Sequence, residues 1–318
     1  MSKVLDETAK GVYIIAATPF ADSGEIDWAS TDSLIEFYLG HGIHGMTILG
    51  VMGEAQKLGE VEQAELALHV LKRVNGRIPV IVGVSSSGIS NLVKLSKLSM
   101  GNGAAGVMVA PPIGQTTEHD ILRYFEGVVG ALGPEIPVVY QDYPQLTNAH
   151  ISSESIVRLV DMYPSMVMLK HEDCPGLRKL SQVRKACDGT AHRRISILCG
   201  NGGLYLPQEL RRGADGAMTG FAFPEILVGM YKLFRSGKAD EAEDQYDIYL
   251  PLVRYEQQPG SGLAIRKEIL RRRGAIKSAA VRAPGPKLDS DDMKELDHLL
   301  ARLEQHLGSR DGRGTAAD

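Results

Sequence analysis

The sequence predicts an α/β fold, a (β/α)8 TIM barrel followed by a C-terminal helical extension. Three observations predict it. A glycine-spaced repeat recurs as Gly42-Ile-His-Gly-Met-Thr47, Gly103-Ala-Ala-Gly-Val-Met108 and Gly213-Ala-Asp-Gly-Ala-Met218. Eight short apolar runs alternate with helical patterns through the first two thirds of the chain. Beyond residue 237 the alternation stops and only helical patterns remain.

In each repeat the first glycine follows a helical pattern and supplies the left-handed conformation that ends a helix. The second lets the chain turn into an apolar run. The copies lie 61 and then 110 residues apart, which is two and then four strand-plus-helix units of about 25–30 residues each. They therefore precede strands two, four and eight. The strands expected on this count are Tyr13–Ala17, Gly45–Leu49, Val80–Val84, Val107–Ala110, Val138–Asp142, Met166–Lys170, Ile195–Gly200 and Ala217–Thr219. Continuous apolar runs suit parallel strands buried on both faces. A helix from Glu60 sets Val61, Ala64, Leu68, Leu71 and Val74 at helical spacing and stops at Asn75-Gly76 after Lys72 and Arg73. An open doubly wound sheet is the rival architecture; eight near-equal units favour closure. The later helices are expected at Asp240–Tyr255, Gly262–Arg273 and Ser290–Leu307, the last opened by a serine cap and two aspartates. Ala283-Pro-Gly-Pro286 separates the final two. The expected organisation is a barrel over 1–237, helices 238–307 packed on it, and a polar tail 308–318 expected to be disordered.

Composition narrows the function classes. With 43% hydrophobic and 23% charged residues over 318 positions, the chain can bury a large core. No run approaches the roughly 20 apolar residues of a bilayer helix, so no membrane partner is expected. A net charge of −4 argues against nucleic acid, whose phosphates call for basic patches. The densest basic stretch, Arg266, Lys267, Arg271, Arg272, Arg273 and Lys277, reads as a solvated helix face or a subunit contact. Cys174, Cys187 and Cys199 cannot all pair and match no zinc spacing, and the first residues are too polar for a secretory signal. The expected compartment is a reducing cytoplasm.

Barrels of this kind carry their chemistry at the C-terminal ends of the strands. Strand six ends in Lys170, whose stem would sit in the barrel mouth; a poorly solvated amine favours its neutral form and can attack a carbonyl. Strand five carries Tyr140, 30 residues earlier, and a phenol at the same rim can relay protons. The plain alternatives are a snorkelling lysine, or one paired with Glu172 or Asp173, and a core tyrosine. Gly50-Val51-Met52-Gly53 after strand two forms a turn whose amides suit a carboxylate, and Glu54 reads as a loop-fixing acceptor. Gly200-Asn-Gly-Gly203 after strand seven resembles the loops that cradle phosphate. Asp142 and Tyr143 are candidates for a polar substrate, and Gly200 and Met218 complete the substrate-binding set. His171, Glu172 and Asp173 are adjacent and so cannot face one metal, and Ser85–Ser87 lack a nucleophile elbow. No metal or cofactor is expected.

Thr18-Pro19-Phe20, Gly50-Val-Met-Gly53-Glu54, Tyr140 and Lys170 come in an order that resembles the dihydrodipicolinate synthase/N-acetylneuraminate lyase family over roughly residues 11–300. The resemblance implies that Lys170 forms a Schiff base with pyruvate or another 2-oxo acid, that Tyr140 relays protons, and that the backbone of Val51 and Met52 holds the carboxylate. It also implies a homodimer or homotetramer. Three synthase features are missing: hydroxyls between the turn glycines, an aromatic hydroxyl in Ala110-Pro-Pro-Ile-Gly114, and an arginine within Gln141–Leu146. The expected function is therefore a metal-independent Schiff-base aldolase or dehydratase. The synthase proper, a phosphate-handling barrel and a non-catalytic regulatory relative are the alternatives.

Overall fold

The computed structural model describes residues 4–311, with side chains through residue 308. Eight parallel strands close into a barrel in sequence order: β1 Gly11–Ile15, β2 Gly45–Ile48, β3 Val80–Gly83, β4 Gly106–Val109, β5 Val138–Asp142, β6 Met166–His171, β7 Ser196–Cys199 and β8 Gly216–Thr219. β8 returns to pair with β1, Met218 opposite Tyr13. The rival open sheet is thereby removed.

Helices α1 Trp28–Gly40, α2 Glu60–Val74, α3 Ile89–Gly101, α4 Glu118–Leu132, α5 Pro144–Thr147, α6 Ser153–Met162, α7 Leu177–Ala186, α8 Leu206–Arg211 and α9 Pro224–Arg235 connect successive strands or follow the last. The C-terminal extension is α10 Ala239–Tyr246, α11 Leu250–Glu256, α12 Gly262–Arg272 and α13 Ser290–Asp311. No helix among the described residues is long and apolar enough to cross a membrane.

The repeat sits before β2, β4 and β8, as its spacing requires. Gly42, Gly103 and Gly213 all take positive φ, which L-residues resist. The second glycine has a different use from the one expected. A Cβ at Gly45 would overlap the Tyr13 ring, and one at Gly216 would overlap the Gly11 backbone. These positions permit close approach of neighbouring strands rather than a turn.

Two cores follow from strand alternation. Tyr13, Ile15, Ile81, Met108, Val139, Met168, Leu198 and Met218 fill the barrel interior. The opposite faces, among them Val12, Ile14, Tyr140, Leu169 and Cys199, pack under the helices. The partition fixes which strand residues can reach the mouth.

Four expectations need correcting. The expected helix Asp240–Tyr255 is two helices, because Pro251 lies in the first turn of α11 and can neither donate to the preceding turn nor avoid its carbonyls. On α2 the buried stripe is Leu66, Ala67, Val70, Leu71 and Val74, whereas Val61 is 70% exposed. Two overlapping apolar stripes run along this helix, and spacing alone does not choose between them. The basic stretch is only partly a solvated face: Arg271, Arg272 and Lys277 are exposed, whereas Arg266 and Lys267 are buried. Finally, α13 continues through Gly308 to Asp311. The rest of the expected tail, 312–318, lies outside the described residues.

Candidate active site

Strand parity determines the site. Gln141 pairs with Lys170, and Lys170 with Leu198. Residues in register on parallel strands share a face, and Leu198 belongs to the interior, so all three face inward. Lys170 is 3% exposed and lines a cavity at the barrel mouth.

Tyr140 pairs with Leu169 and faces outward. Its ring meets Phe125 of α4 edge-on, with centroids 4.7 Å apart. Its hydroxyl is buried and has no hydrogen-bond partner among the described residues. Burial first, and then the charge of Asp142, push the phenol well above its usual pKa of 10. The proton-relay role expected for Tyr140 is therefore overturned: this phenol lies behind the barrel wall.

The inward neighbours of Lys170 are a carboxylate and an amide. Glu172 N–H donates to the Asp142 carbonyl at 2.9 Å, carrying the alternation one residue past β6 and returning Glu172 to the face of Lys170. Its Oε2 stands 2.9 Å from Lys170 Nζ and accepts from Gln141 Nε2 at 2.7 Å. A Cβ at Gly200 would overlap the Glu172 side chain, so this glycine makes room for the carboxylate. It is absent from the cavity wall, where its loop neighbours Asn201 and Gly202 stand.

The opposite wall comes from β1 and β2. Val51 and Met52 line the cavity with Ile15, in a one-turn 3-10 helix Val51–Gly53 flanked by Gly50. The first amides of such a turn have no partner within it. Thr18 Oγ1 donates to the Gly53 carbonyl at 2.6 Å. Glu54 pairs with Lys267 at 2.6 Å and Lys57 at 2.9 Å and accepts from Arg282 N–H. It fastens the turn to the C-terminal extension, the loop-fixing part expected of it.

Two further candidates lie elsewhere. Asp142 shares the outward register of His171, forms an ion pair with Lys179 at 2.7 Å and is absent from the cavity wall. Burial draws the His171 imidazole down, but Asp142 at 3.6 Å and the Gly176 carbonyl outweigh it and raise its pKa. Met218 is fully buried in the interior layer, and Thr219 and Gly220 line the cavity in its place. Tyr143, by contrast, does reach the cavity.

Sequence reasoning gave Glu172 no site role and passed over Gln141, Gln257 and Arg266. Glu172 was within reach, because residues two apart on one strand share a face. Gln257 and Arg266 come from the extension and carry no local signal. The cavity is narrow and open to solvent at its mouth. Among the described residues no three His, Cys, Asp or Glu side chains are grouped to hold a metal ion.

The family model described as the dihydrodipicolinate synthetase family matches residues 8–303. L-2-keto-3-deoxyarabonate dehydratase of Azospirillum brasilense is 30% identical over 299 residues, 93% of this chain and 94% of that protein. The crystal structure of a dihydrodipicolinate synthase from Rhodopseudomonas palustris has a TM-score of 0.92 at 45% identity, covering 95% of this chain and all of the other. YagE of E. coli K12, solved in complex with pyruvate, has a TM-score of 0.85 at 26% identity, with 93% and 98% covered.

Proposed function

This chain belongs to the dihydrodipicolinate synthetase family, and we propose that within it the protein is a Schiff-base dehydratase of 3-deoxy-2-oxo sugar acids, with Lys170 as nucleophile and Glu172 as acid and base. The observation that carries this reading is the placement of Lys170, buried and inward-facing on the cavity at the barrel mouth, with Glu172 Oε2 2.9 Å from its Nζ to take the ammonium proton. Glu172 takes a proton from the Lys170 ammonium, the freed amine adds to the C2 ketone, and the ketone oxygen leaves as water with the proton returned by Glu172 and one from the nitrogen. The protonated imine then draws electrons from C3. A carboxylate next to the imine nitrogen is placed to take a C3 proton, and the same proton, handed to the C4 hydroxyl, lets it depart as a second water. A third water hydrolyses the imine and returns the lysine. Gln141 holds the carboxylate in place, and the amides of Val51 and Met52 receive the C1 carboxylate.

One point favours dehydration over carbon–carbon cleavage: the Azospirillum relative, a dehydratase by name, is 30% identical to this chain, against 26% for the E. coli relative named as an aldolase. The synthase name of the Rhodopseudomonas neighbour supports condensation of pyruvate with an aldehyde as a second reading, against which stands the lack of an arginine in Gln141–Leu146. The test is a panel of 3-deoxy-2-oxo acids, with pyruvate plus aldehydes alongside, scored separately for water loss, pyruvate release and condensation. Water loss is expected; condensation or pyruvate release alone would overturn the assignment.

The protonated imine is itself the electron sink, so the proposed reaction is metal-independent and its rate is expected to survive chelation by EDTA. A cytoplasmic homodimer or homotetramer completes the proposal, to be checked by fractionation and light scattering.

A further inference from the structure

Three glycines at the barrel mouth each leave space for one polar side chain. Gly200 makes room for Glu172, Gly202 for Gln257 and Gly220 for Arg266; a Cβ at any of them would overlap that partner. Gln257 and Arg266 belong to the C-terminal extension, so the extension contributes two polar side chains to the cavity wall.

Arg266 is the unusual member. It is 1% exposed, and its Nε donates to Glu256 Oε2 at 2.7 Å. Glu256 in turn accepts from the Ala222 amide. Arg266 Nη1 lies against Gly220, a residue of the cavity wall, and is buried without a hydrogen-bond partner among the described residues. A buried donor left unmade is costly, so such groups are normally satisfied.

We infer that Arg266 Nη1 is the specificity-determining donor for a hydroxyl on the substrate chain beyond C3. The inference rests on the Schiff-base reading of Lys170 and deepens it. Charge balance selects a hydroxyl over a second carboxylate. Arg266 is already compensated by Glu256, and Lys170 by Glu172. The conversion of an ammonium and a ketone into a protonated imine and water leaves the net charge unchanged. One substrate carboxylate is thus the only added charge, and a second would be buried without a cation of its own. Asn201, Thr219 and Gln257 also line the cavity, whose apolar lining is Val51, Met52 and Ile15. The fitting substrate class is a monocarboxylic 2-oxo acid with a hydroxylated tail.

Borohydride labelling of Lys170 at graded concentrations of 4,5-dihydroxy-2-oxopentanoate and of 2-oxopentanoate tests this. Wild type is expected to half-label at about tenfold or more lower concentration of the hydroxylated acid, the range of a hydrogen bond to a charged donor. Arg266→Lys keeps a cation for Glu256 but loses the second nitrogen, and should abolish the preference. Gly220→Ala, whose methyl displaces Nη1, should do the same and decides the matter if the lysine variant does not fold. Labelling of wild type without preference, or a preference unchanged in the folded variants, overturns this inference alone. Absence of labelling with both acids overturns the Schiff-base reading and this inference with it.

Discussion

Lys170 and Gln141 stand directly opposite each other in the β5–β6 register, and the pairing puts an amide, not a phenol, on the inner face of strand five. The amide holds Glu172 Oε2 while that oxygen faces Lys170 Nζ. The carboxylate beside Lys170 is therefore supplied by the residue that follows strand six. Tyr140, one residue before Gln141, is committed to the packing beneath α4.

Tyr140→Phe should leave kcat/KM unchanged. Its hydroxyl is buried without a partner, so its removal should be neutral or stabilising by up to about 1 kcal/mol. Steady-state kinetics with a melting curve checks both. A large loss of kcat in a folded variant would return the phenol to the mechanism.

Glu172→Gln keeps the shape of the site but removes the base. Turnover should fall by about 10²–10⁴-fold, the usual contribution of a positioned acid–base group. Slow borohydride labelling of Lys170 should persist, separating proton transfer from imine formation. Undiminished turnover would exclude Glu172 as the base.

Gly200→Ala places a methyl on the Glu172 side chain and must move the carboxylate away from Nζ. A displacement of about 1 Å can cost up to about a hundredfold, and the loss should fall on kcat more than on KM. Rates equal to wild type in a folded protein would mean that the glycine serves no positioning purpose.

Glu209, on α8, carries a pH prediction. Burial raises its carboxyl from 4.5 to about 7, partly opposed by His171 and Cys199. Between these values the folded protein binds the extra proton, so the contribution of this carboxyl to stability is fully present below about pH 4.5 and is lost as the pH rises to about 7. Relative to Glu209→Gln, wild type should lose on the order of 3 kcal/mol across that window. Denaturant unfolding at pH 5 and pH 8 measures it. A difference independent of pH would place the carboxyl in a more solvated setting.

The barrel was legible in the sequence because glycine punctuation and buried apolar runs are local signals. Gly42, Gly103 and Gly213 marked helix ends before β2, β4 and β8 from sequence alone. Lys170 was legible because it interrupts an apolar strand. The facing of Tyr140 was not, since loop lengths do not fix register to one residue and a one-residue slip reverses every side chain. The β5–β6 pairing in fact shifts register between Val138 and Val139. Asp142 failed by the same parity. Arg266 and Gln257 were hidden for another reason: helices far along the chain return to the mouth, and no spacing rule reports tertiary return.

A Schiff base on Lys170 is a covalent bond, and peptide mass spectrometry after borohydride reduction with pyruvate detects it. One stable adduct is expected, on the peptide containing Lys170, lost in Lys170→Ala and retained in Tyr140→Phe. An unmodified Lys170 peptide after reduction with pyruvate and with the 3-deoxy-2-oxo acids, or an adduct on another lysine, would contradict it.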